Sequence, residues 1–191
     1  GIQKQRAQSY ATGDWVLTID ADERVTPELK KEIEKIIQQN NQSKVYAVPI
    51  LPNVFGHFLR HGGWYPARKI RLYPRNAGQY GNQQVHEKLE FTMAVETVNL
   101  NSDLLHYTYR SLEHYLVKSA SYAAQWAEQR QQRGEKSSLL KGILHAVGCF
   151  LKIYVFKAGF LDGKHGFLIA FLSAHSTFVK YAELWIRNRD P

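Results

Sequence analysis

Apolar residues near the start of the chain change their spacing twice, and each change predicts a new element. Residues 15–19 form a compact apolar run typical of a buried strand, and the acidic residues 20–23 follow directly. Thr26 and Pro27 then supply a cap and a first-turn proline for a helix. The apolar residues on one face of this helix are Leu29, Ile33, Ile36 and Ile37. With a further strand over 45–51, the order predicts an α/β layer built around a parallel pair of strands.

The second half of the chain has a helical pattern. Beyond Ser111 the apolar residues recur at helical spacing. Between Leu139 and Ile186, lysines interrupt short apolar runs, so that no window of about eighteen uncharged apolar residues occurs. We expect this region to lie at a membrane interface and not to span the membrane. The pattern thus predicts an α/β part over residues 1–110 and a helical, amphipathic part over residues 111–191.

Composition and charge narrow the class of protein. With 44% hydrophobic and 22% charged residues the chain is globular, which excludes a disordered tail or a fibrous repeat. A net charge of +8 favours anionic partners, namely phosphorylated small molecules, acidic lipids or nucleic acid. Cys149 is the only cysteine in the sequence, so an internal disulfide and a Cys-rich zinc site are both excluded.

The acidic residues after the first strand are the sharpest candidate for chemistry. Asp20 and Asp22 lie on the same side of the chain, with Glu23 next to them, at a strand end where α/β proteins bind ligands. Two such carboxylates can hold Mg²⁺ or Mn²⁺, which can bridge a diphosphate. The alternative is a solvated acidic turn before a helix. A phosphohydrolase with Asp20 as nucleophile is disfavoured, because Arg24 stands where such enzymes have Thr or Val.

Further candidates for binding and catalysis lie in the middle of the chain. Glu87, beside His86, can act as a general base, although a surface carboxylate beside a packed histidine is the alternative. His106 follows an apolar pair and is either a further metal ligand or a hydrogen-bonded core residue. Arg71 belongs to a basic stretch that can bind phosphate or remain solvated, and Trp64 can stack on a sugar ring or pack its loop.

Residues 13–25, with the Asp-Ala-Asp-Glu motif at 20–23, resemble family 2 glycosyltransferases, which have the Rossmann-like GT-A fold. Later segments narrow the resemblance to lipopolysaccharide inner-core β-1,4-glucosyltransferases. These segments are Trp64-Tyr65-Pro66, Arg71-Leu72-Tyr73, Val85-His86-Glu87 and residues 159–167. The resemblance implies a partial GT-A domain of the α/β class, followed by the helical C-terminal region.

The resemblance also implies an activity and a set of residue roles. It implies inverting transfer of a hexose, with UDP-glucose as the expected donor, to a lipopolysaccharide core sugar at the cytoplasmic face of the bacterial inner membrane. By match to the Asp-x-Asp motif, Asp22 is the main ligand of Mg²⁺ or Mn²⁺, and Asp20 contacts the ion or the nucleotide ribose. His106 matches a histidine of the family that completes the metal or the phosphate site. Glu87 matches the base that deprotonates the acceptor. The residues expected to contact the nucleotide sugar or the acceptor are Asp20, Glu23, Trp64, Arg71 and His86.

The Asp-x-Asp motif comes early in this chain. In the enzymes it resembles, some tens of residues precede the motif strand and bind the uracil and ribose, so we expect that nucleotide-binding part to be missing here. A non-catalytic remnant that keeps acceptor and membrane binding is therefore the alternative to an enzyme. Nucleic-acid binding through the basic loops has no recognisable motif in the sequence and is not expected.

Overall fold

The computed structural model describes residues 2–80 and 89–189, which divide into two units. The first unit contains the chain up to Leu51 together with Pro66–His106. The second contains Pro52–Tyr65 and the chain from Tyr107 onwards. The expected fold class, an α/β part followed by a helical C-terminal region, is confirmed. The bounds 1–110 and 111–191 stay a prediction, and the segment 52–65 groups with the helical unit.

Helices and strands are numbered here in chain order. In the first unit they are α1 (Ile2–Ser9), β1 (Trp15–Leu17), β2 (Glu23–Val25), α2 (Pro27–Gln39), β3 (Lys44–Val54), β5 (Ala67–Pro74), β6 (Gly78–Tyr80), β7 (Leu89–Phe91), β8 (Glu96–Asn99) and β9 (Leu104–Tyr109). In the second unit they are β4 (His57–Phe58), α3 (Leu112–Gln132), α4 (Leu139–Leu151) and α5 (Gly163–Arg187). A π-helical turn, Lys152–Phe156, extends α4, and a 3₁₀ turn, Gly159–Asp162, precedes α5. The last residues of β3 and β9 belong to the second unit.

The main sheet has the strand order β1-β5-β3-β9-β2, and β4 and β8 also pair with β3. Strand β1 is antiparallel to β5, which is antiparallel to β3. Strands β1 and β3 therefore run in the same direction, as expected, but β5 lies between them and they do not pair with each other. Within the described ranges, the parallel ladder joins β3 to β8, from Lys44 opposite Glu96 to Ala47 opposite Asn99.

Strand β1 is shorter and more exposed than the apolar run predicts. Trp15 and Val16 are half-buried, whereas Leu17 and Ile19 are exposed. The reason is position: β1 is the terminal strand in the sheet order, so only one of its edges pairs with a described strand, β5. The prediction of a buried strand before the acidic residues is therefore wrong, although a strand is present.

Helix α2 begins at the predicted residue. The Oγ1 atom of Thr26 accepts a hydrogen bond of 3.1 Å from the backbone N–H of Leu29, and Pro27 occupies the first helical position. Leu29, Ile33 and Ile36 are buried against the sheet core, whereas the fourth predicted face residue, Ile37, is exposed. The buried face of α2 therefore contains three of the four apolar residues that the sequence predicts.

In the second unit, α4 and α5 pack against each other closely through small and aromatic residues. Gly142 is buried on α4, and a Cβ atom there would lie 3.1 Å from Cβ of Tyr181 and 3.2 Å from Cδ2 of Phe178. At the other end of α4, the ring of Phe150 contacts the ring of Phe167 edge to face at 5.8 Å. The two helices are therefore in contact along the length of α4 and run antiparallel.

The turn between these helices depends on glycine. A Cβ atom on Gly159 would lie 2.6 Å from the carbonyl oxygen of Ile153, and one on Gly166 would overlap the carbonyl of Gly159. Asp162, in the same turn, accepts hydrogen bonds from the backbone N–H groups of Arg60 and His61 and pairs with the His61 ring at 2.9 Å. The turn therefore packs too tightly for side chains at both glycines and binds the loop at residues 60–61.

One stretch of the described residues has the length and hydropathy of a membrane span. It is the continuous helix from Leu139 to Phe156, and almost none of it is buried inside the structure. The stretch contains Lys141 and Lys152, so it is not free of charge as the strict expectation for a span requires. The sequence expectation that no window of about eighteen uncharged apolar residues occurs therefore holds, and the stretch qualifies as a candidate span by length and mean hydropathy alone.

We predict opposite outcomes for two glycine substitutions on α4. Gly148→Ala should stabilise the protein by about 0.5–1 kcal/mol, because alanine favours helix and no described atom lies within 4 Å of the added Cβ. Gly142→Ala should lack this gain, because its Cβ would press on Tyr181 and Phe178. Thermal unfolding of both variants, followed by circular dichroism, measures the difference. Equal stabilisation at the two positions would show that α4 does not pack on α5 in this way.

Candidate active site

The acidic residues after β1 form a closed loop in the first unit. The backbone N–H of Asp20 donates a 2.8 Å hydrogen bond to Oε2 of Glu23, and the backbone N–H of Glu23 donates a 2.9 Å bond to the carbonyl oxygen of Asp20. Glu23 then begins β2. These two hydrogen bonds between Asp20 and Glu23 hold residues 20–23 in a tight turn.

Arg71, on β5, forms ion pairs with two carboxylates of this acidic loop. Its side chain is only 4% exposed, and its Nη2 atom donates to Oδ2 of Asp20 at 2.8 Å and to Oε1 of Glu23. The Glu23 side chain is 1% exposed, so Arg71 and Glu23 form a buried ion pair. On the other side, Nζ of Lys4 lies 3.0 Å from Oδ1 of Asp20. Both oxygens of Asp20 thus face cations.

These contacts determine the charge states of the loop. Burial raises the pKa of Asp20, but the hydrogen bonds and charges of Arg71 and then Lys4 outweigh burial, so that the net pKa lies below its ordinary value. Burial likewise lowers the pKa of Arg71, but Asp20 and Glu23 reverse this and raise it. Asp20 and Arg71 are therefore both charged at neutral pH.

Asp22 has a different partner from Asp20. Strand β2 pairs antiparallel with β9, which places Glu23 opposite His106. Next to this pair, Nε2 of His106 lies 3.3 Å from Oδ2 of Asp22, and both side chains are partly exposed. A carboxylate oxygen and an imidazole nitrogen at this separation are able to share a divalent cation that other ligands complete.

The predicted metal residues are thus divided between two groups. Asp22 and His106 come together, whereas Asp20 is engaged by Arg71 and Lys4. Within residues 2–80 and 89–189, no three Asp, Glu, His or Cys side chains converge as a complete metal site. The geometry therefore fits an ion held by one carboxylate and one imidazole of the described residues, together with further ligands.

The residues predicted to bind the sugar or acceptor lie in different environments. Arg71 and Glu23 form a buried ion pair with each other. This contact stabilises the acidic loop. Trp64 is half-buried in the second unit, where it packs against a core that includes Leu59 and Tyr115. His86 and Glu87 lie outside the described residues. Their binding and catalytic roles stay predictions.

Sequence reasoning missed Lys4 and the cleft beside it. A cleft of about 330 Å³ lies between α1 and β1, and Lys4, Gln8, Thr18 and Tyr73 are among the residues that line it. The hydroxyl groups of Thr18 and Tyr73 are 3.4 Å apart in its wall. Ile19 also borders the cleft, which therefore adjoins the acidic loop. No periodicity or motif in α1 marks Lys4, because its role depends on where the helix packs.

Comparison with known proteins identifies the family. Residues 1–100, which include the acidic loop and Arg71, match the model of glycosyl transferase family 2, and the match covers just over half of the 191 residues. The chain belongs to glycosyl transferase family 2. The resemblance inferred from the Asp-Ala-Asp-Glu motif is therefore confirmed.

Individual relatives agree with the family. An uncharacterized glycosyltransferase of Rickettsia prowazekii is 30% identical in an alignment 191 positions long, which covers 95% of this chain and 65% of the relative. An uncharacterized glycosyltransferase of Rickettsia typhi has the same identity and coverage. The lipopolysaccharide core biosynthesis glycosyltransferase LpsC of Rhizobium meliloti is 26% identical over 187 residues, which are 97% of this chain and 69% of that protein. The chain thus spans about 65% of the length of the two Rickettsia proteins.

The buried ion pair predicts a large stability effect. Glu23→Gln should destabilise the protein by about 3 kcal/mol or more, because it removes the buried carboxylate that compensates the Arg71 charge. Urea unfolding followed by circular dichroism measures this loss. Glu34→Gln is the matched control, since Glu34 forms only an exposed pair with Lys30 and should cost less than about 1 kcal/mol. Similar losses in the two variants would contradict a buried ion pair.

Because the pKa of Asp20 is lowered in the folded protein, we predict that the stability of the protein depends on pH in the acidic range. Since the folded pKa of Asp20 lies below its ordinary value of 3.8, Asp20 contributes stability above that pH, and the contribution is lost as pH falls through the folded pKa. The wild-type unfolding temperature should therefore drop between about pH 5 and about pH 2. Asp20→Asn should be less stable at neutral pH and should lose less on acidification. An identical pH profile for the two proteins would refute the contribution.

Proposed function

We propose that the protein takes part in transferring a hexose, glucose from UDP-glucose, onto a lipopolysaccharide inner-core sugar with inversion at the anomeric carbon. Family membership and the acidic loop with its Asp22–His106 pair support a nucleotide-sugar glycosyltransferase. The similarity to the lipopolysaccharide core biosynthesis glycosyltransferase LpsC of Rhizobium meliloti supports a lipopolysaccharide acceptor. The observation that carries the proposal is the Asp-x-Asp loop held in one shape by Arg71, with Asp22 facing His106.

In this proposal Asp22 and His106 would hold Mg²⁺ or Mn²⁺. The fit rests on a partly exposed carboxylate oxygen and ring nitrogen 3.3 Å apart. When bound, the ion offsets the negative charge that develops on the departing nucleoside diphosphate. Both carboxylate oxygens of Asp20 are paired, with Arg71 and with Lys4. In this proposal Asp20 therefore anchors the loop that carries Asp22 and positions that residue.

Glu87 is proposed as the general base on the strength of the Val85-His86-Glu87 motif. Its carboxylate takes the proton of the acceptor hydroxyl as the new bond to the anomeric carbon forms. The bond from that carbon to the diphosphate oxygen breaks on the opposite face, and the electron pair leaves with the diphosphate. A positioned base of this kind contributes on the order of 10²–10⁴-fold to the rate.

The proposed acceptor is a membrane lipid, so the protein should work at the cytoplasmic face of the inner membrane. The net charge of +8 favours the phosphorylated core and the acidic membrane surface. The exposed apolar helix Leu139–Phe156 provides a surface suited to that location. These features and the lipopolysaccharide-related homologue support peripheral membrane association.

We predict that two variants of the full-length protein separate metal-dependent binding from chemistry. Asp22→Ala should lose the Mn²⁺-dependent part of UDP-glucose binding in calorimetry, because the metal loses its carboxylate. Glu87→Gln should keep that binding and lose about 10²-fold or more in UDP release with core acceptor.

Glu90→Gln, an exposed nearby carboxylate, is the control and should behave like wild type. Unchanged UDP-glucose affinity in Asp22→Ala would refute the metal role. Full turnover in Glu87→Gln would remove Glu87 as the base. No UDP-glucose binding by the wild type at all would favour a non-catalytic protein.

A further inference from the structure

Helix α4 has an apolar face that no described part of the second unit covers. Leu140, Leu144, Val147 and Leu151 recur at helical spacing and are all exposed, Leu144 to 65%. The opposite face packs on α5 through Gly142 and Phe150. A helix that is apolar on both faces is typically enclosed by protein or by lipid.

The apolar surface continues into the turn that joins α4 to α5. Phe156 is 79% exposed, and Val155, Phe160 and Leu161 are also exposed. Nearby, the ring of Tyr154 contacts the rings of Phe160 and Phe167 edge to face, at 6.3 Å and 5.8 Å. Exposed aromatic and aliphatic side chains at this density mark an interaction surface.

The charges in this region have one sign. Exposed lysines are distributed along the same helices and turn, at Lys141, Lys152, Lys157 and Lys164. Asp162 is the only acidic residue between Leu139 and Glu183 in the sequence, and its side chain is 7% exposed because it is bound to His61 and the loop backbone. The exposed surface of the helical hairpin is therefore apolar and cationic.

We propose that this face of the hairpin lies in the plane of an anionic lipid bilayer. The Leu140–Leu151 stripe enters the boundary between head groups and acyl chains, and the lysines contact lipid phosphates. This is the chemistry of an interfacial helix, in which apolar burial and attraction to anionic lipid add together. The inference rests on the proposed function in one respect, namely that the acceptor of the reaction is itself a membrane lipid.

An in-plane helix suits the hairpin better than a spanning one. Lys141 and Lys152 are three turns apart, on the same side of the helix, so both can reach the head groups when the axis is parallel to the membrane. A spanning α4 would also bring α5 into the hydrocarbon, because Gly142 packs at Tyr181 and Phe150 at Phe167. Burying the α5 residues between these contacts would include His175 and Lys180, a large cost in hydrocarbon.

A second copy of the chain is a poorer occupant of this face. A two-fold dimer through the stripe would bring the same lysines of both copies together, with no exposed acidic residue from this segment to compensate them. Anionic lipid, in contrast, supplies the opposite charge along the whole face. Charge complementarity therefore selects the membrane surface.

Vesicle flotation with matched variants tests the proposal. Wild type should float with phosphatidylglycerol-containing vesicles and bind pure phosphatidylcholine vesicles on the order of tenfold more weakly. Leu144→Glu should reduce partitioning to the anionic vesicles about tenfold or more, since it places a charge in the stripe. Val117→Glu, at 66% exposure on α3, is the matched control and should bind like wild type.

Leu140→Glu is the second variant in the stripe and should repeat the effect if Leu144→Glu folds poorly by circular dichroism. Wild-type binding in a folded stripe variant would overturn the proposal. So would a wild-type dimer in sedimentation that Leu144→Glu abolishes without lipid, because the stripe would then be an interface between copies.

Depth measurements separate an in-plane helix from a span. Single labels at Leu140→Cys and Leu151→Cys, in a Cys149→Ser background, should be quenched at the same depth by lipid-attached quenchers. A spanning helix would instead place them about 16 Å apart in depth. That difference would overturn the in-plane orientation.

An assay of sugar transfer to a lipid-free core oligosaccharide tests the proposed function independently of the proposed membrane surface. Leu144→Glu should retain wild-type turnover with the soluble acceptor while losing vesicle binding. If wild type binds vesicles but transfers no sugar, the proposed function fails and the membrane face stands. If wild type transfers sugar but the stripe variants still bind vesicles, the membrane face fails alone.

Discussion

The buried guanidinium of Arg71 is the constraint around which the candidate site is arranged. A charged group that is almost fully enclosed requires a carboxylate close by, and Glu23 supplies one from an equally enclosed position. The backbone carbonyl of Arg71 also accepts a 2.8 Å hydrogen bond from Thr18, at the end of β1. Arg71 thus fixes both ends of the short segment between Thr18 and Glu23. Asp22 lies within this segment, next to Glu23, which is paired with His106 in the β2–β9 ladder.

Local chemistry explains what the sequence predicts well. The start of α2 is predicted to the residue because a threonine cap and a first-turn proline act within one turn of helix. The family is evident from the Asp-Ala-Asp-Glu motif because the residues that carry it are contiguous. By contrast, β1 pairs with residues 72–74 through an antiparallel ladder that no local signal specifies. Sheet order, and with it the exposure of β1, therefore required the structure.

The site shows the same limit for individual side chains. Arg71 sits in a basic stretch that suggests a solvated, phosphate-binding loop, yet burial of an arginine is decided by distant carboxylates that composition does not reveal. The meeting of Asp22 and His106 follows from the register of β2 against β9, which again joins distant segments. Glu87 and His86 are known from their motif alone, so their roles rest on the sequence.

The two close glycine contacts in the turn before α5 have a consequence for how the family can vary in length. The backbone of Gly159 packs directly on that of Ile153, and the backbone of Gly166 packs directly on that of Gly159. The segment between the end of α4 and the first turn of α5 therefore has no room for an additional residue. One inserted residue would rotate α5 by about 100° relative to α4 and turn its buried residues Ile169, Ala170 and Leu172 out of the core. Insertions and deletions within this turn should therefore be poorly tolerated.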